Sequence, residues 1–148
     1  MKLSESEENY IKSIYNLQEK TEKVNTNTLA AYLDTSAASI TDMLKKLKSK
    51  KLIEYKKYYG FKLNTSGIRE ALKIIRRHRL WEFFLVEKLG MEWEKVHSIA
   101  EELEHVSSIE LITKLDQFLG KPKIDPHGDP IPDEKGIMPV LNQTALKN

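Results

Sequence analysis

Hydrophobic residues recur at helical spacing almost from the start of the chain. Tyr10, Ile11, Ile14, Tyr15 and Leu17 mark one face of a helix that Ser4-Glu5-Ser6-Glu7 opens as a capping box and that ends near Glu19. A polar connection leads to a short helix from about Asn27 to Leu33, with Leu29, Ala30 and Leu33 turned inward. Asp34-Thr35-Ser36 breaks it, and the next helix runs from about Ala37 to Lys50 over a stripe of Ile40, Leu44 and Leu47. The period then changes. Leu52-Ile53-Glu54-Tyr55 and Phe61-Lys62-Leu63 read as two short strands joined through Tyr58-Tyr59-Gly60 as a hairpin. Thr65-Ser66-Gly67 starts a long helix through Ile68, Leu72, Ile75 and His78, with a break near His78 left open, continuing to Leu89 and closed by Gly90. Residues 93–106 and 108–119 form two further helices, the second ended by Gly120. All five prolines lie at or beyond Pro122, so the tail is expected to be irregular and mobile toward Asn148.

Helix, turn, helix and hairpin in that order form the winged helix-turn-helix pattern. Such a module presents the first turn of its second helix to base edges in the major groove while the preceding helix crosses the backbone. Thr35, Ser36, Ala38, Ser39, Thr41 and Asp42 sit on or before that turn. Small side chains allow close approach, hydroxyls reach phosphates or bases, and Ala38 suits a thymine methyl. Lys45, Lys46, Lys48, Lys56 and Lys57 are placed for phosphate contacts.

Charge supports this reading. The net charge of +2 hides an excess of basic residues in the first half: between positions 41 and 62 there are 8 lysines against Asp42 and Glu54. A concentrated basic patch is the electrostatic footprint of phosphate binding. At 148 residues the chain has ample material for a core, as one domain or as a small module with a second helical one. With no transmembrane run, no signal-peptide pattern and no cysteine, the expectations are a cytoplasmic location, no membrane partner, no disulfide and no thiolate metal site.

The second half carries different chemistry. At about 100° per residue, positions 97, 101, 104 and 105 fall within roughly 100° of arc, so His97, Glu101, Glu104 and His105 share a helix face. His78 and Glu82 form an earlier pair with i,i+4 spacing. Imidazoles and carboxylates together suit a divalent transition metal. A solvated helix face usually mixes charge signs, yet between Glu92 and Glu110 six acids face one base, Lys95. Two E-x-x-H strings, Glu94 to His97 and Glu102 to His105, lie on one helix, whereas di-iron carboxylate enzymes need them on facing helices. No serine, cysteine or glycine-rich catalytic motif is present, and His127-Gly128 reads as a turn in the proline-rich tail. The chain is therefore not expected to be an enzyme.

From about Ser6 to Pro132 the sequence resembles the diphtheria toxin repressor family of iron- and manganese-dependent repressors. The resemblance rests on Glu8-Asn9-Tyr10-Ile11 with Ile14-Tyr15, Leu33-Asp34-Thr35-Ser36, Leu63-Asn64-Thr65-Ser66-Gly67 and Arg77-His78-Arg79-Leu80. It continues through Lys95-Val96-His97, Glu104-His105-Val106 and Pro126-His127-Gly128-Asp129-Pro130-Ile131-Pro132. It implies two metal positions per subunit, a dimer built on the C-terminal helices, and metal-activated binding to palindromic operators. Carried over residue by residue, Glu104 and His105 match ligands found throughout the family, and His78, Glu82 and His97 match the outer site of its iron branch. Glu101 stands where the iron branch has cysteine and the manganese branch glutamate. Asn9 stands where the branches place methionine or aspartate, and its amide oxygen offers a neutral donor to an ion shared with Glu101, Glu104 and His105. Lys12 replaces a glutamate that helps the manganese branch hold its second ion, which argues against a closely spaced binuclear centre there. Many members carry a further SH3-like or related domain, so a short form or a piece of a longer protein is expected.

The expected protein is mainly α with a small β-hairpin wing. Its winged helix-turn-helix domain spans 1–72, its helical metal-binding and dimerisation domain 73–120, and its tail 121–148. It represses metal-uptake genes as a homodimer on operator DNA, with Mn(II) or Fe(II) as corepressor. Ligation without thiolate tilts the choice toward manganese, and Zn(II) or Co(II) are expected to substitute in vitro. Two rivals remain: a metal-independent winged-helix regulator whose His/Glu face is structural, and a di-metal hydrolase or oxidase.

Overall fold

The structure, a computed structural model, describes residues 2–20 and 23–140. The chain divides into two compact units, Met1–Ala71 and Leu72–Asn148.

In the first unit, α1 (Glu5–Lys20) opens on the expected capping box: Ser4 Oγ accepts from the Glu7 amide at 3.1 Å, and Glu7 Oε1 accepts from the Ser4 amide at 2.9 Å. These two bonds satisfy donors that a helix start leaves orphaned. Glu7 also pairs with Lys50 Nζ at 2.7 Å. Helix α2 (Thr26–Leu33) begins slightly earlier than its apolar pattern suggests, because Asn25 caps it reciprocally with Thr28. It stops at Asp34, whose left-handed backbone (φ 51°) turns the chain into α3 (Ala37–Ser49). Ile40, Met43, Leu44 and Leu47 of α3 pack with Ile11, Ile14, Leu29 and Leu52 into one core.

Strands β1 (Ile53–Lys56) and β2 (Gly60–Leu63) pair antiparallel in the register Ile53↔Leu63 and Tyr55↔Phe61. Val24 braces this hairpin: its amide donates to Tyr59 O at 3.2 Å and its carbonyl accepts from the Phe61 amide at 2.7 Å. Only glycine fits at position 60, where φ is +83° and a Cβ would stand 2.1 Å from Val24 O.

Helix α4 (Thr65–Glu87) runs unbroken through His78. The break left open there does not occur: Ile74, Ile75, Leu80 and Leu85 keep the apolar stripe continuous, and no glycine or proline interrupts it. Helix α5 spans Trp93–Leu103, shorter than expected, since Ser108 caps the following helix and the chain must turn first. Glu104 and His105 therefore occupy the closing turn of α5. Helix α6 (Ile109–Phe118) buries Ile112 and Leu115, which pack with Leu80, Leu119 and Ile131.

Beyond Gly120 the backbone is irregular, as its prolines dictate, but the strap of residues 121–140 is packed down at Asp125, Ile131, Pro132 and Gly136. Ile131 and Pro132 are buried, and Ile124 bridges to Pro130. Arg76 and Arg79 donate to the carbonyls of Pro132 and Pro130. The expected mobility near Asn148 concerns residues outside those described. Among the described residues, no helix is long and apolar enough to cross a membrane.

Candidate metal centre and nucleic-acid interface

The metal candidate is built around Glu82, one turn after His78 on α4 and 4% exposed. Three imidazoles approach it. His78 Nε2 lies 3.4 Å and His97 Nδ1 3.6 Å from Oε2, while His127 Nδ1 lies 3.7 Å from Oε1. No donor reaches Oε2 with hydrogen-bonding geometry, so these are electrostatic approaches to a buried, unsatisfied oxygen. Burial pushes the Glu82 carboxyl up, but the neighbouring His78, with the charges of His127 and His97, outweighs it and holds the group below its ordinary range.

The outward nitrogens of two imidazoles meet other carboxylates. His78 Nδ1 contacts Glu104 Oε1 at 2.7 Å, and His97 Nε2 contacts Glu101 Oε1 at 3.1 Å. A carboxylate behind an imidazole fixes its tautomer and raises its basicity, the usual support of a metal-binding histidine.

Asp125 is a further buried acid. Its Oδ1 accepts from the amides of His127 (2.9 Å) and Asp129 (2.8 Å), while the buried Oδ2 has no hydrogen-bond partner. Burial, with repulsion from Asp129 and Glu82, raises its carboxyl above the ordinary value against those two amide bonds. His127 Nδ1 stands 3.9 Å from Oδ2, and the ring packs edge-on against Trp93 at 4.6 Å.

Among the described residues, two groups bring ligand atoms within 4.8 Å of one another: His78–Glu82–His97 and Glu82–Asp125–His127. Glu104 and His105 are neighbours, with Glu104 Oε2 at 3.8 Å from His105 Nε2. Glu101 sits with His97 instead and does not complete a compact group with them. Asn9 is an exposed residue of α1 in the first unit. Sequence reasoning passed over Asp125 and His127 as donors. The available signal was the Asp-Pro-His-Gly-Asp turn, which closes on itself through Asp125 and so aims His127.

On the first unit, the start of α3 is solvent-facing: Ser36, Ala38, Ser39, Thr41 and Asp42 are exposed and Thr35 is half-buried. Ser36 Oγ accepts from the Ser39 amide at 3.1 Å and donates to Ser39 Oγ at 3.0 Å, and Thr41 Oγ1 donates to Ala37 O. The hydroxyls are thus held in fixed orientations with acceptor capacity outward. Lys45 and Lys46 are exposed on the same helix. On the hairpin, Lys56 lies 3.7 Å from Glu54 and Lys57 lies over the Tyr58 ring.

Two profiles of the iron dependent repressor family match: its N-terminal DNA binding domain at residues 2–61 and its metal binding and dimerisation domain at residues 64–133. An uncharacterized helix-turn-helix transcriptional regulator of Methanocaldococcus jannaschii is 35% identical, over 80% of this chain and 96% of its own. The iron-dependent repressor IdeR of Mycobacterium leprae is 31% identical over 88% of this chain, which spans 56% of that protein. The solved structure of a manganese-dependent transcriptional repressor in complex with manganese is similar with a TM-score of 0.80 and 41% identity, over 91% of this chain and 62% of that one.

Proposed function

The chain belongs to the iron-dependent repressor family, and we propose that it is a metal-responsive transcriptional repressor that binds palindromic operator DNA as a homodimer when loaded with Mn(II) or Fe(II). The observation that carries the reading is the convergence of three imidazoles on the buried, unsatisfied carboxylate of Glu82. A group that is purely structural would have its polar atoms satisfied. A divalent ion supplies the missing partner, and an all-nitrogen-and-oxygen donor set accepts manganese, iron, cobalt or zinc. His78, Glu82 and His97 hold one ion. Glu104 and His105, with Glu101, are the proposed ligands of the other.

Metal and DNA are read by different units of the chain. The exposed hydroxyls at the start of α3 supply base contacts and the lysines supply phosphate contacts. The second unit offers exposed apolar residues for dimerisation, including Ile109 (83% exposed) and Phe118 (63%) on α6. Pairing two copies places two recognition helices on successive half-sites, roughly 34 Å apart.

The test is selection of bound sequences from a random duplex DNA library with Mn(II) or with chelator. Enrichment of a palindrome only with Mn(II) is expected. Equal enrichment under chelation refutes the metal-responsive reading in favour of a metal-independent regulator. Linkage adds a second check: the selected duplex must tighten Mn(II) binding by the factor that Mn(II) tightens DNA binding.

A further inference from the structure

We propose that the hairpin wing, together with the start of α2, is a stacking platform for the unpaired bases of single-stranded nucleic acid. The inference goes beyond the reading above: it concerns unpaired strands rather than operator duplex, and it depends on no metal. Its first support is composition. Residues 55–61, Tyr-Lys-Lys-Tyr-Tyr-Gly-Phe, hold four aromatic rings and two lysines. Tyr55 is 61% exposed, Tyr58 75% and Tyr59 47%, and none of the three belongs to the core of the first unit. Phe61 does pack on that core, and it holds Tyr55 edge-on with ring centroids 5.4 Å apart.

Tyr58 is also strained. The Tyr59 amide donates to Lys56 O at 3.0 Å and closes a turn with Tyr58 at its third position, where φ is +75°. Glycine or asparagine takes such a position without the penalty that a bulky side chain meets. Strain of this kind persists where the side chain has a task, and this ring points its task toward solvent. Lys57 Nζ stands 5.3 Å from the ring centroid, which puts a cation beside any base stacked there.

Rings and cations line two joined clefts. Tyr55, Tyr58, Tyr59 and Phe61 wall one of about 340 Å³, with Asn25 and Thr26 at the start of α2. Thr26 and Phe61 also line a neighbouring cleft of about 230 Å³, whose walls include Thr41, Lys45 and Lys48. The first cleft suits a base with its sugar, and the second offers hydroxyl and ammonium groups to the adjoining phosphates. In a duplex both faces of a base are covered by its neighbours, so only an unpaired strand presents faces to these rings. Aromatic faces beside a track of lysines hold single strands with little sequence preference.

The experiment is fluorescence anisotropy of the full chain in chelator, with a labelled oligothymidylate of about a dozen nucleotides and an abasic strand of the same length. The two strands carry the same charge and differ in their bases. The oligothymidylate should bind about tenfold more tightly. Tyr58→Gly, which suits the left-handed turn, should keep or raise stability to urea yet remove most of that difference, whereas Tyr58→Phe should retain it. Equal binding of the two strands overturns the proposal, as does a Tyr58→Gly variant that keeps the full difference. A Tyr58→Gly loss confined to duplex DNA assigns the ring to duplex contacts and overturns it as well. Displacement of the strand by thymidine monophosphate at equal nucleotide concentration overturns the single-strand assignment and makes a free nucleotide the occupant. Because chelator is present throughout, operator binding that ignores metal refutes the repressor reading and leaves this result standing.

Discussion

Replacing Gly60 by alanine tests how the hairpin wing is held. The residue sits at φ +83°, and a Cβ there would approach Val24 O to 2.1 Å, nearly an ångström inside any tolerated contact. A left-handed residue bearing a Cβ costs about 1–2 kcal/mol. The clash must also be relieved by moving the hairpin off Val24, which breaks the 3.2 Å bond to Tyr59 O and the 2.7 Å bond from the Phe61 amide. At about 1 kcal/mol each, these bring the loss to roughly 3–4 kcal/mol. Gly90→Ala is the control, since its φ is +68° but a Cβ there meets nothing within 4 Å. It should cost only the backbone part, about 1–2 kcal/mol. All six tyrosines lie between Tyr10 and Tyr59, and both tryptophans, Trp81 and Trp93, lie in the second unit. Urea titration followed by tyrosine and tryptophan signals therefore reads the two units separately. A Gly60→Ala loss no greater than that of Gly90→Ala would refute the bracing role of Val24.

Lys45→Ala and Lys57→Ala should weaken binding to all duplexes alike and reduce the salt slope by about one, whereas Ser39→Ala should change sequence preference; a lysine variant that alters preference at an unchanged salt slope contradicts the docking. Burial pushes the Glu7 carboxyl up, but Lys50 and the Ser4 cap outweigh it and lower its pKa below 4.5. Its ionised form therefore contributes stability above the unfolded pKa, and that contribution is lost as pH falls through the folded value. Glu7→Gln should flatten acid unfolding of the first unit in that range, and an unchanged acid profile counts against the pairing. His105→Ala should lower Mn(II) affinity in calorimetry and abolish metal-stimulated DNA binding, and an unaltered titration removes His105 from the ligand set.

The fold was largely legible because its elements carry strong local signals. The Ser4/Glu7 capping box, the Asp34 break and the change of period after Leu52 are all written within a few residues. Boundaries were less legible where a competing cap decides. Asn25 recruits Thr26 into α2, and Ser108 ends α5 by starting α6. In the tail, proline density predicts the irregular backbone that residues 121–140 have but says nothing about burial. Arg76 and Arg79 on α4, far off in sequence, pack it down. At the centre, the imidazole and carboxylate types were visible, but their grouping was not. Helical spacing puts Glu101 beside Glu104 and His105, yet the Glu101 side chain, 52% exposed, turns to His97.

Arg76 and Arg79 grip the strap through carbonyl oxygens, and this limits how the protein can change over evolutionary time. The pair between Lys50 and Glu7 can be repaired after one loss by exchanging the charges. A carbonyl has no charge to exchange and is the same whatever residue bears it. A change at position 130 therefore leaves the acceptor in place, while loss of Arg79 finds no remedy at position 130. Apart from Asp125 and His127, the strap is thus free to drift in side chain where packing allows, and the two arginines of α4 bear the constraint.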